Sequence, residues 1–379
     1  MRLWPARRAP GHGASDDIVL VADLLGRSLD GVLAVNDRQL RAASVAFRGR
    51  LLIPAATALD LLIERFRALG YTPLMRPDGD DVVIHALPRG RTEGRPRVAV
   101  NVVLFLLTCL STLVAGALFF ASPTFVPLGS RSLAGWLLTG APFAGTLLAI
   151  LGVHEFGHYF TARYYKASVS LPYFIPAPPL VLFGTFGAII RMRSPARDRN
   201  SLFDIAAAGP LAGLLVTIPA IVFGLQWSIV GPLPAGGGLR LGDPLLMRLF
   251  VYLIFGTLPQ GADVFLHPMA VAGWAGLLVT ALNLFPVGQL DGGRIAYALF
   301  GRRHRTVGVV AFACLLALGV FTWSLNWFVW AALLFFLVGF HHSPPLDDVT
   351  PLTPGRRLLG LLCLALLVVL LPPVPIELP

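Results

Sequence analysis

Residues 144–165 read AGTLLAILGVHEFGHYFTARYY, and this stretch decides the fold class because it places ionisable groups inside an apolar helix. It belongs to a longer apolar block, 134–162, and a helix needs about 20 such residues to cross the hydrocarbon core of a bilayer. An ionisable group at that depth costs roughly 2.5–3.5 kcal/mol on insertion scales. The groups of His154, Glu155 and His158 therefore need compensation, which a bound metal ion supplies.

The H-E-x-x-H pattern at 154–158 predicts half of a zinc site. Residues four apart share one face of a helix, so His154 and His158 can present two imidazole nitrogens to one Zn²⁺ ion. Glu155 lies beside them, where it can take a proton from a metal-bound water. The alternative is a polar patch near the end of the helix, with both histidines bonded to backbone or water.

The composition indicates a membrane protein. Of the 379 residues 56% are hydrophobic and 13% are charged, and the mean hydropathy is +0.74. Soluble domains are about 45–50% apolar and about 25% charged. We expect an all-α multi-spanning fold with about seven spans. The predicted spans are 101–122, 134–162, 202–226, 268–286, 305–321, 324–340 and 356–372.

The net charge of +10 comes largely from arginines in the N-terminal region and in short loops between apolar blocks. This distribution is typical of the positive-inside rule, so we expect a lipid bilayer and no nucleic acid as partner. With seven spans the loop clusters fall on one side, predicted to be cytoplasmic. They include Arg95, Arg97, Arg163, Lys166, Arg191, Arg193, Arg197, Arg199, Arg302, Arg303, Arg305, Arg356 and Arg357. An eighth span at 245–259 would break this agreement, so that segment is predicted to be re-entrant or interfacial.

Residues 171–193, LPYFIPAPPLVLFGTFGAIIRMR, are apolar but contain four prolines, which break a helix. Their second half is strand-like. We expect a β-hairpin that re-enters the membrane, which is possible only where protein or water covers the backbone.

The N-terminal third is more polar and predicts a separate domain. Residues 1–30 are expected to form a tail or a peripheral helix. Residues 31–98 predict a small soluble α+β domain of ββαββ order, with a helix at 54–70 and a turn at PDGD. We expect a regulatory or docking role for it. Residues 99–379 are then the membrane-embedded domain.

The fourth predicted span ends in NLFPVGQLDGGR, residues 283–294, which supplies a candidate third ligand. A catalytic zinc usually takes three protein ligands and water. Asp291 and His158 both lie toward the cytoplasmic ends of their helices, so Asp291 is the predicted third ligand. The alternative is an ordinary N-cap for a helix over 292–300, a position that aspartate favours.

HEFGH in one span and NLFPVGQLDGG at the end of a later one resemble the site-2 protease family of intramembrane metalloproteases. The resemblance covers roughly 100–340. It implies one zinc ion held by His154, His158 and Asp291, with Glu155 as the catalytic base. It further implies hydrolysis of a peptide bond in or near a transmembrane segment of a membrane-protein substrate.

The resemblance extends to two substrate-binding elements. Asn283 matches the asparagine upstream of the family's LDG motif, which implies that it holds the substrate backbone or the developing oxyanion. A hydrogen bond between helices is the alternative. Gly184, Thr185, Phe186 and Gly187 match the membrane-inserted strand that such enzymes offer to substrate, and a re-entrant plug is the alternative.

Two features of the sequence bear on which branch of the family it resembles. There is no room for a PDZ domain between the two motifs, and the N-terminal module with GTFGA resembles plant chloroplast proteases and their bacterial relatives. The Gly-Asn-Leu-Arg motif of the plant members is absent. We expect a bacterial cell membrane, with the N-terminal domain and the active site toward the cytoplasm.

Two other functions are compatible with buried ionisable groups. A transporter would use them as an ion relay, but it predicts internal repeats, and none is visible. An inactive scaffold would have no need of Glu155. The pattern does not specify an oligomeric state.

Overall fold

The computed structural model describes residues 14–41, 44–89, 98–121, 132–178, 181–232 and 240–377. The chain divides into two compact units. Unit 1 comprises 1–94, 196–199 and 344–351, and unit 2 comprises 95–195, 200–343 and 352–379. Arg95 and Arg97 of the predicted charge clusters lie outside the described residues.

Unit 1 is a four-stranded antiparallel sheet with two helices. Its elements are α1 (Ala14–Arg27), β1 (Leu33–Arg41), β2 (Ser44–Leu51), α2 (Ala55–Ala68), β3 (Tyr71–Asp78) and β4 (Asp81–Pro88), with strand order β1-β2-β4-β3. The predicted ββαββ order is confirmed. Helix α1 adds Ala22 and Leu25 to the core that contains Phe47 and Phe66. The compact unit therefore includes a helix that precedes residue 31, where the predicted domain begins.

Strand β3 lies at the edge of this sheet, and a later segment of unit 1 pairs with it. The Met75 N–H donates to the Leu346 carbonyl at 2.8 Å, and the Asp348 N–H donates to the Met75 carbonyl at 3.0 Å. On its other side the Leu346 N–H donates to the Ala196 carbonyl at 2.9 Å. The edge of the sheet is thus covered by residues that are distant in sequence, which removes an unpaired strand edge.

Unit 2 is mostly helical. Its helices are α3 (Val98–Ala115), α4 (Leu133–Leu138), α5 (Ala141–Tyr164), α6 (Arg199–Gln226, whose first residue belongs to unit 1), α7 (Leu245–Phe255), α8 (Pro268–Asn283), α9 (Asp291–Phe300), α10 (His304–Thr322), α11 (Leu325–Leu333) and α12 (Pro354–Leu370). Short π-helical turns extend α3 over Gly116–Phe120 and α11 over Leu334–Val338.

Six short strands form three antiparallel pairs in unit 2. They are β5 (Tyr173–Pro176) with β6 (Thr185–Ile189), β7 (Ile229–Pro232) with β9 (Ala262–Phe265), and β8 (Arg240–Leu241) with β10 (Ile376–Glu377). The first pair is the hairpin predicted within 171–193.

Apolar helices identify a membrane protein. Within the described residues, three helical stretches are long and apolar enough to span a bilayer, namely Val98–Phe120, Arg199–Gln226 and Asp291–Thr322. Shorter apolar helices cover Leu245–Phe255, Pro268–Asn283 and Leu325–Val338. Seven spans and a membrane re-entry of the hairpin remain predictions.

The predicted span over 134–162 is divided between two helices, because the helix is interrupted at Thr139 and Gly140, between α4 and α5. A Cβ at Gly140 would lie 2.1 Å from the carbonyl oxygen of Leu113, so Gly140 packs directly on the backbone of α3. Pro142 then occupies the first turn of α5, where its missing N–H has no helical partner to lose.

Helix α8 forms the centre of unit 2, and glycines let α6 approach it. A Cβ at Gly273 would lie 2.6 Å from Cγ1 of Ile221, and a Cβ at Gly224 would lie 2.4 Å from the backbone nitrogen of Ala270. Close backbone approach of this kind is how helices associate in lipid, where apolar burial alone gives little. This packing fixes the helices that hold the site.

Candidate metal centre

Helix α5 brings two imidazoles together in the protein interior. His154 and His158 are each 3% exposed, and their Nε2 atoms are 3.2 Å apart. The arrangement follows from their spacing, since residues four apart stack on one helical face. The predicted pair of ligands is therefore assembled by local structure alone.

The third predicted ligand comes from α9. Oδ2 of Asp291 lies 3.1 Å from Nε2 of His158 and 3.4 Å from Nε2 of His154. Asp291 is the first residue of α9, and the N-cap is Leu290, with no side-chain cap bond. The carboxylate thus faces the imidazoles, and the alternative role as an N-cap is not what the structure shows.

These three atoms fit a zinc ion. Ligand atoms about 2.0–2.1 Å from a tetrahedral Zn²⁺ lie about 3.3 Å from one another. The separations here are 3.1, 3.2 and 3.4 Å. Among the described residues, His154, His158 and Asp291 form the group that could hold a metal. Two histidines and a carboxylate leave a fourth position for water or substrate.

A backbone carbonyl orients one of the ligands. Nδ1 of His158 lies 2.6 Å from the carbonyl oxygen of Ile205 in α6, to which it donates when Nε2 is left free for a metal. Asn283, the last residue of α8, places its amide nitrogen 3.5 Å from Nε2 of His154. The predicted substrate-binding asparagine therefore lies beside the metal ligands.

Glycines in α6 make room for the imidazoles, and sequence reasoning missed them. A Cβ at Gly209 would lie 2.1 Å from Nε2 of His158, and one at Gly213 would lie 3.3 Å from Cβ of His154. The sequence feature that could have revealed them is the run of small residues AAAGPLAG at 206–213, which is typical of close helix packing.

A glycine-rich turn aims Asp291 at the site. Gly288 has φ +54°, and a Cβ at Gly292 would lie 1.9 Å from the carbonyl oxygen of Leu284. The turn between α8 and α9 therefore folds back on itself so tightly that only glycine fits. The two glycines after Asp291 in LDGGR thus shape the backbone that carries the ligand.

Glu155 lies between the metal ligands and the hairpin. Its Oε1 is 4.0 Å from Nε2 of His154, and the residue is 6% exposed. The backbone N–H of Ile190, just after β6, donates a hydrogen bond to its carboxylate. A carboxylate in this position can exchange a proton with a water held at the metal site.

The predicted substrate strand is β6, which begins at Thr185. Phe186 is 66% exposed, while the Thr185 hydroxyl donates to the Ile175 carbonyl at 2.8 Å and so ties β6 to β5. Gly184 has φ +68°, and a Cβ there would lie 2.3 Å from the carbonyl oxygen of Ser111 in α3. The hairpin is thus built against α3, and its last strand ends beside Glu155.

Comparisons with known proteins point to one family. The sequence model of peptidase family M50 matches residues 142–325. The probable chloroplastic zinc metalloprotease EGY1 of Arabidopsis thaliana is 32% identical, over 98% of this chain and 69% of its own length. No solved structure matches the chain.

Two further relatives are similar. The probable chloroplastic zinc metalloprotease EGY1 of Oryza sativa subsp. japonica is 32% identical, over 94% of this chain and 62% of its own length. The probable chloroplastic zinc metalloprotease EGY2 of Arabidopsis thaliana is 32% identical over 63% of this chain and 43% of its own length. The chain thus spans only part of the length of these relatives.

The names of these relatives bear on location. All three relatives are named as chloroplastic. The predicted bacterial cell membrane therefore finds no support in them, whereas the apolar helices agree with an integral membrane protein.

Proposed function

This chain belongs to peptidase family M50, the site-2 protease family, and on that premise we propose that it is a zinc metalloprotease acting on membrane proteins. The reaction is hydrolysis of a peptide bond in or near a transmembrane segment. The observation that carries the proposal is the cluster of His154, His158 and Asp291, spaced for zinc and buried among apolar helices with Glu155 beside it.

Each side chain of the site has a separate role in hydrolysis. A bound zinc ion would act as a Lewis acid that polarises the scissile carbonyl and lowers the pKa of a bound water to about 7. His154, His158 and Asp291 hold the ion. Glu155 takes the proton from the attacking water and delivers it to the leaving amine, since it is buried next to the ligands with one carboxylate oxygen 4.0 Å from His154.

Asn283 supports the developing charge. Its amide nitrogen is 3.5 Å from Nε2 of His154, so an N–H donor stands at the edge of the metal site. A donor fixed before the reaction stabilises an oxyanion more than solvent does, because it needs no reorganisation. We assign it to the substrate carbonyl or to the substrate backbone.

Strand β6 receives the substrate in extended form. A helical segment keeps its carbonyls hydrogen bonded, so it must unwind before attack. Within the described residues β6 pairs with β5 on one edge, and pairing on its other edge would stabilise the extended segment. The strand ends next to Glu155, which supports binding of the unwound segment at the catalytic base.

We further propose the seven-span arrangement with a membrane-inserted hairpin. It places the arginine-bearing loops on one face and leaves α7, only 11 residues long, as an interfacial helix. A helix of that length rises about 16 Å, roughly half of the hydrocarbon thickness.

The test uses the full chain purified in detergent and a single-span substrate with a fluorescent tag on each side. Glu155→Gln should keep stoichiometric zinc, measured by atomic emission, and abolish cleavage, because the amide cannot accept the proton. The matched control is Glu64→Gln on α2 in unit 1, which should cleave like the unchanged chain.

Zinc content and cleavage report on different residues of the site. His158→Ala should lose both zinc and cleavage, because it removes a ligand. Full cleavage by the Glu155→Gln chain would remove the assignment of the base. Purified chain that binds no zinc under any condition would remove the proposed function.

A further inference from the structure

Arg294 is a cation next to the catalytic site that the proposed mechanism does not use. It follows Asp291 by three residues on α9, and residues three apart share a helical face. The residue is half-buried. A guanidinium in such a place normally has a carboxylate or carbonyl partner, because its five N–H donors all need acceptors.

The partner that the structure gives this guanidinium is weak. Nη1 of Arg294 lies 3.7 Å from the thioether sulfur of Met192. A thioether is a poor acceptor. Within the described residues Arg294 forms no ion pair. Asp291, the first residue of the same helix, pairs with His154 and His158 instead. Most of its donor capacity is therefore left for a bound molecule.

The position of Met192 locates the guanidinium along the substrate strand. Met192 follows Ile190 by two residues, and the Ile190 N–H is bonded to the carboxylate of Glu155. The charge of Arg294 also acts on Glu155. Arg294 therefore lies within electrostatic reach of Glu155 and contacts Met192, three residues after the end of β6.

The charges around this point favour an anionic partner. Arg191 and Arg193 flank Met192 in sequence, and Nε of Arg193 is buried without a hydrogen bond among the described residues. Burial, together with the charge of Arg294, lowers the pKa of His342 to about 3, so this imidazole is neutral. The acids of the site, Glu155 and Asp291, serve as base and ligand.

We propose that Arg294 determines specificity by binding the carboxylate of an aspartate or glutamate next to the scissile bond. This inference rests on the proposed function and adds a substrate class to it. The preferred substrate is a membrane segment that carries an acidic side chain where it leaves strand β6. The planar guanidinium can bind such a carboxylate through two parallel N–H donors.

The experiment uses purified full-length chain and one single-span substrate, in three versions at each of two positions. Its cleavage site is first mapped by mass spectrometry, and the flanking residue on each side is then set in turn to Asp, Asn or Lys. The unchanged chain should show kcat/KM roughly 10- to 100-fold higher for Asp than for Lys at one of the two positions, as expected for a charge-assisted hydrogen bond.

Variants at Arg294 supply the decisive readout. Arg294→Gln should remove the preference, and Arg294→Glu should reverse it toward Lys. Arg294→Lys should keep part of it, since it retains the charge without the two parallel donors. Zinc content should be unchanged throughout. Arg302→Gln, at an exposed arginine just after α9, is the matched control and should keep the full preference.

The outcomes separate this inference from the proposed function. Equal loss on all three substrates, or an unchanged preference in Arg294→Gln, would show that Arg294 only supports the fold. If the unchanged chain cleaves without any charge preference, the inference fails and the protease assignment stands. If it cleaves none of the substrates, the proposed function fails and this inference falls with it.

Discussion

The imidazole of His158 is held by two features of α6, a carbonyl and a missing side chain. The Ile205 carbonyl binds Nδ1 at 2.6 Å, and Gly209 leaves the space that Nε2 occupies. The carbonyl sets the tautomer of the His158 ring, and the absence of a side chain at Gly209 lets α6 approach that ring closely. Both position the imidazole that would bind a metal, as outer partners of metal sites commonly do.

A prediction follows for Gly209. Gly209→Ala should lose most of its zinc and its cleavage, because the new Cβ would lie 2.1 Å from Nε2 of His158 and must displace the ring. Gly145→Ala on α5, where a Cβ meets nothing within 4 Å, is the control and should retain both. Zinc per chain by atomic emission is the measurement, and normal zinc in the Gly209→Ala chain would contradict it.

The pair of imidazoles in the candidate metal site could be predicted from the sequence because its geometry is local. His154 and His158 need only a helix, whereas Asp291 is predicted from its place at the end of a later span and from the LDGG motif. The Ile205 carbonyl and Arg294 could not be predicted in the same way. Their roles depend on how α6 and α9 pack against α5, which no spacing along one segment encodes.

At the level of elements, the prolines and the strand-like second half of 171–193 correctly predicted a hairpin in place of a helix. They did not predict what holds it. The structure shows that the amide of Asn101 in α3 donates to the carbonyls of Leu171 and Pro172, at 3.2 and 2.9 Å. Helix α3 thus anchors the segment where it enters the hairpin, and Gly184 packs on the same helix farther along.

Two glycines of the hairpin give a matched comparison. Gly184 and Gly187 both have positive φ, +68° and +97°, so alanine strains the backbone at either position. At Gly184 the Cβ would also lie 2.3 Å from the Ser111 carbonyl, whereas at Gly187 it meets nothing within 4 Å. Gly184→Ala should therefore be less stable than Gly187→Ala, by about 1–3 kcal/mol as typical for overpacking.

The measurement is thermal unfolding of the two variants in the same detergent, followed by tryptophan fluorescence. The positive φ is common to both, so the difference between their midpoints reports the contact with α3. Equal midpoints would mean that the hairpin does not depend on this contact. A similar contact lies between α4 and α5, where Gly140 also packs on the backbone of α3.

At the scale of the whole molecule, unit 1 shows why domain boundaries are hard to predict from sequence. Its sheet could be predicted from local alternation and turn residues, but the partner of its edge strand comes from 344–351. Asp347 is 1% exposed there and accepts hydrogen bonds from the backbone N–H groups of Val349 and Thr350. A buried aspartate more than 250 residues after the strand it supports leaves no local signal.

Charge distribution makes the arrangement in the membrane testable. With seven spans, Ser168 and Arg302 lie in loops on one face, and Asp263 and Trp323 lie on the other. If α7 crosses the membrane as an eighth span, Ser168 and Arg302 are separated instead. The positive-inside rule favours the first arrangement, because it keeps the arginine clusters together.

Single cysteines at these four exposed positions distinguish the two arrangements. Cys109, Cys314 and Cys363 are free and are first replaced by alanine. In sealed vesicles, a membrane-impermeant maleimide should react with only one of two pairs. Ser168→Cys and Arg302→Cys should either both be labelled or both be protected, and Asp263→Cys and Trp323→Cys should show the reverse. Lysed vesicles, in which all four should react, give the control. Labelling that separates Ser168→Cys from Arg302→Cys would exclude seven spans and would put α7 across the bilayer, despite its 11 residues.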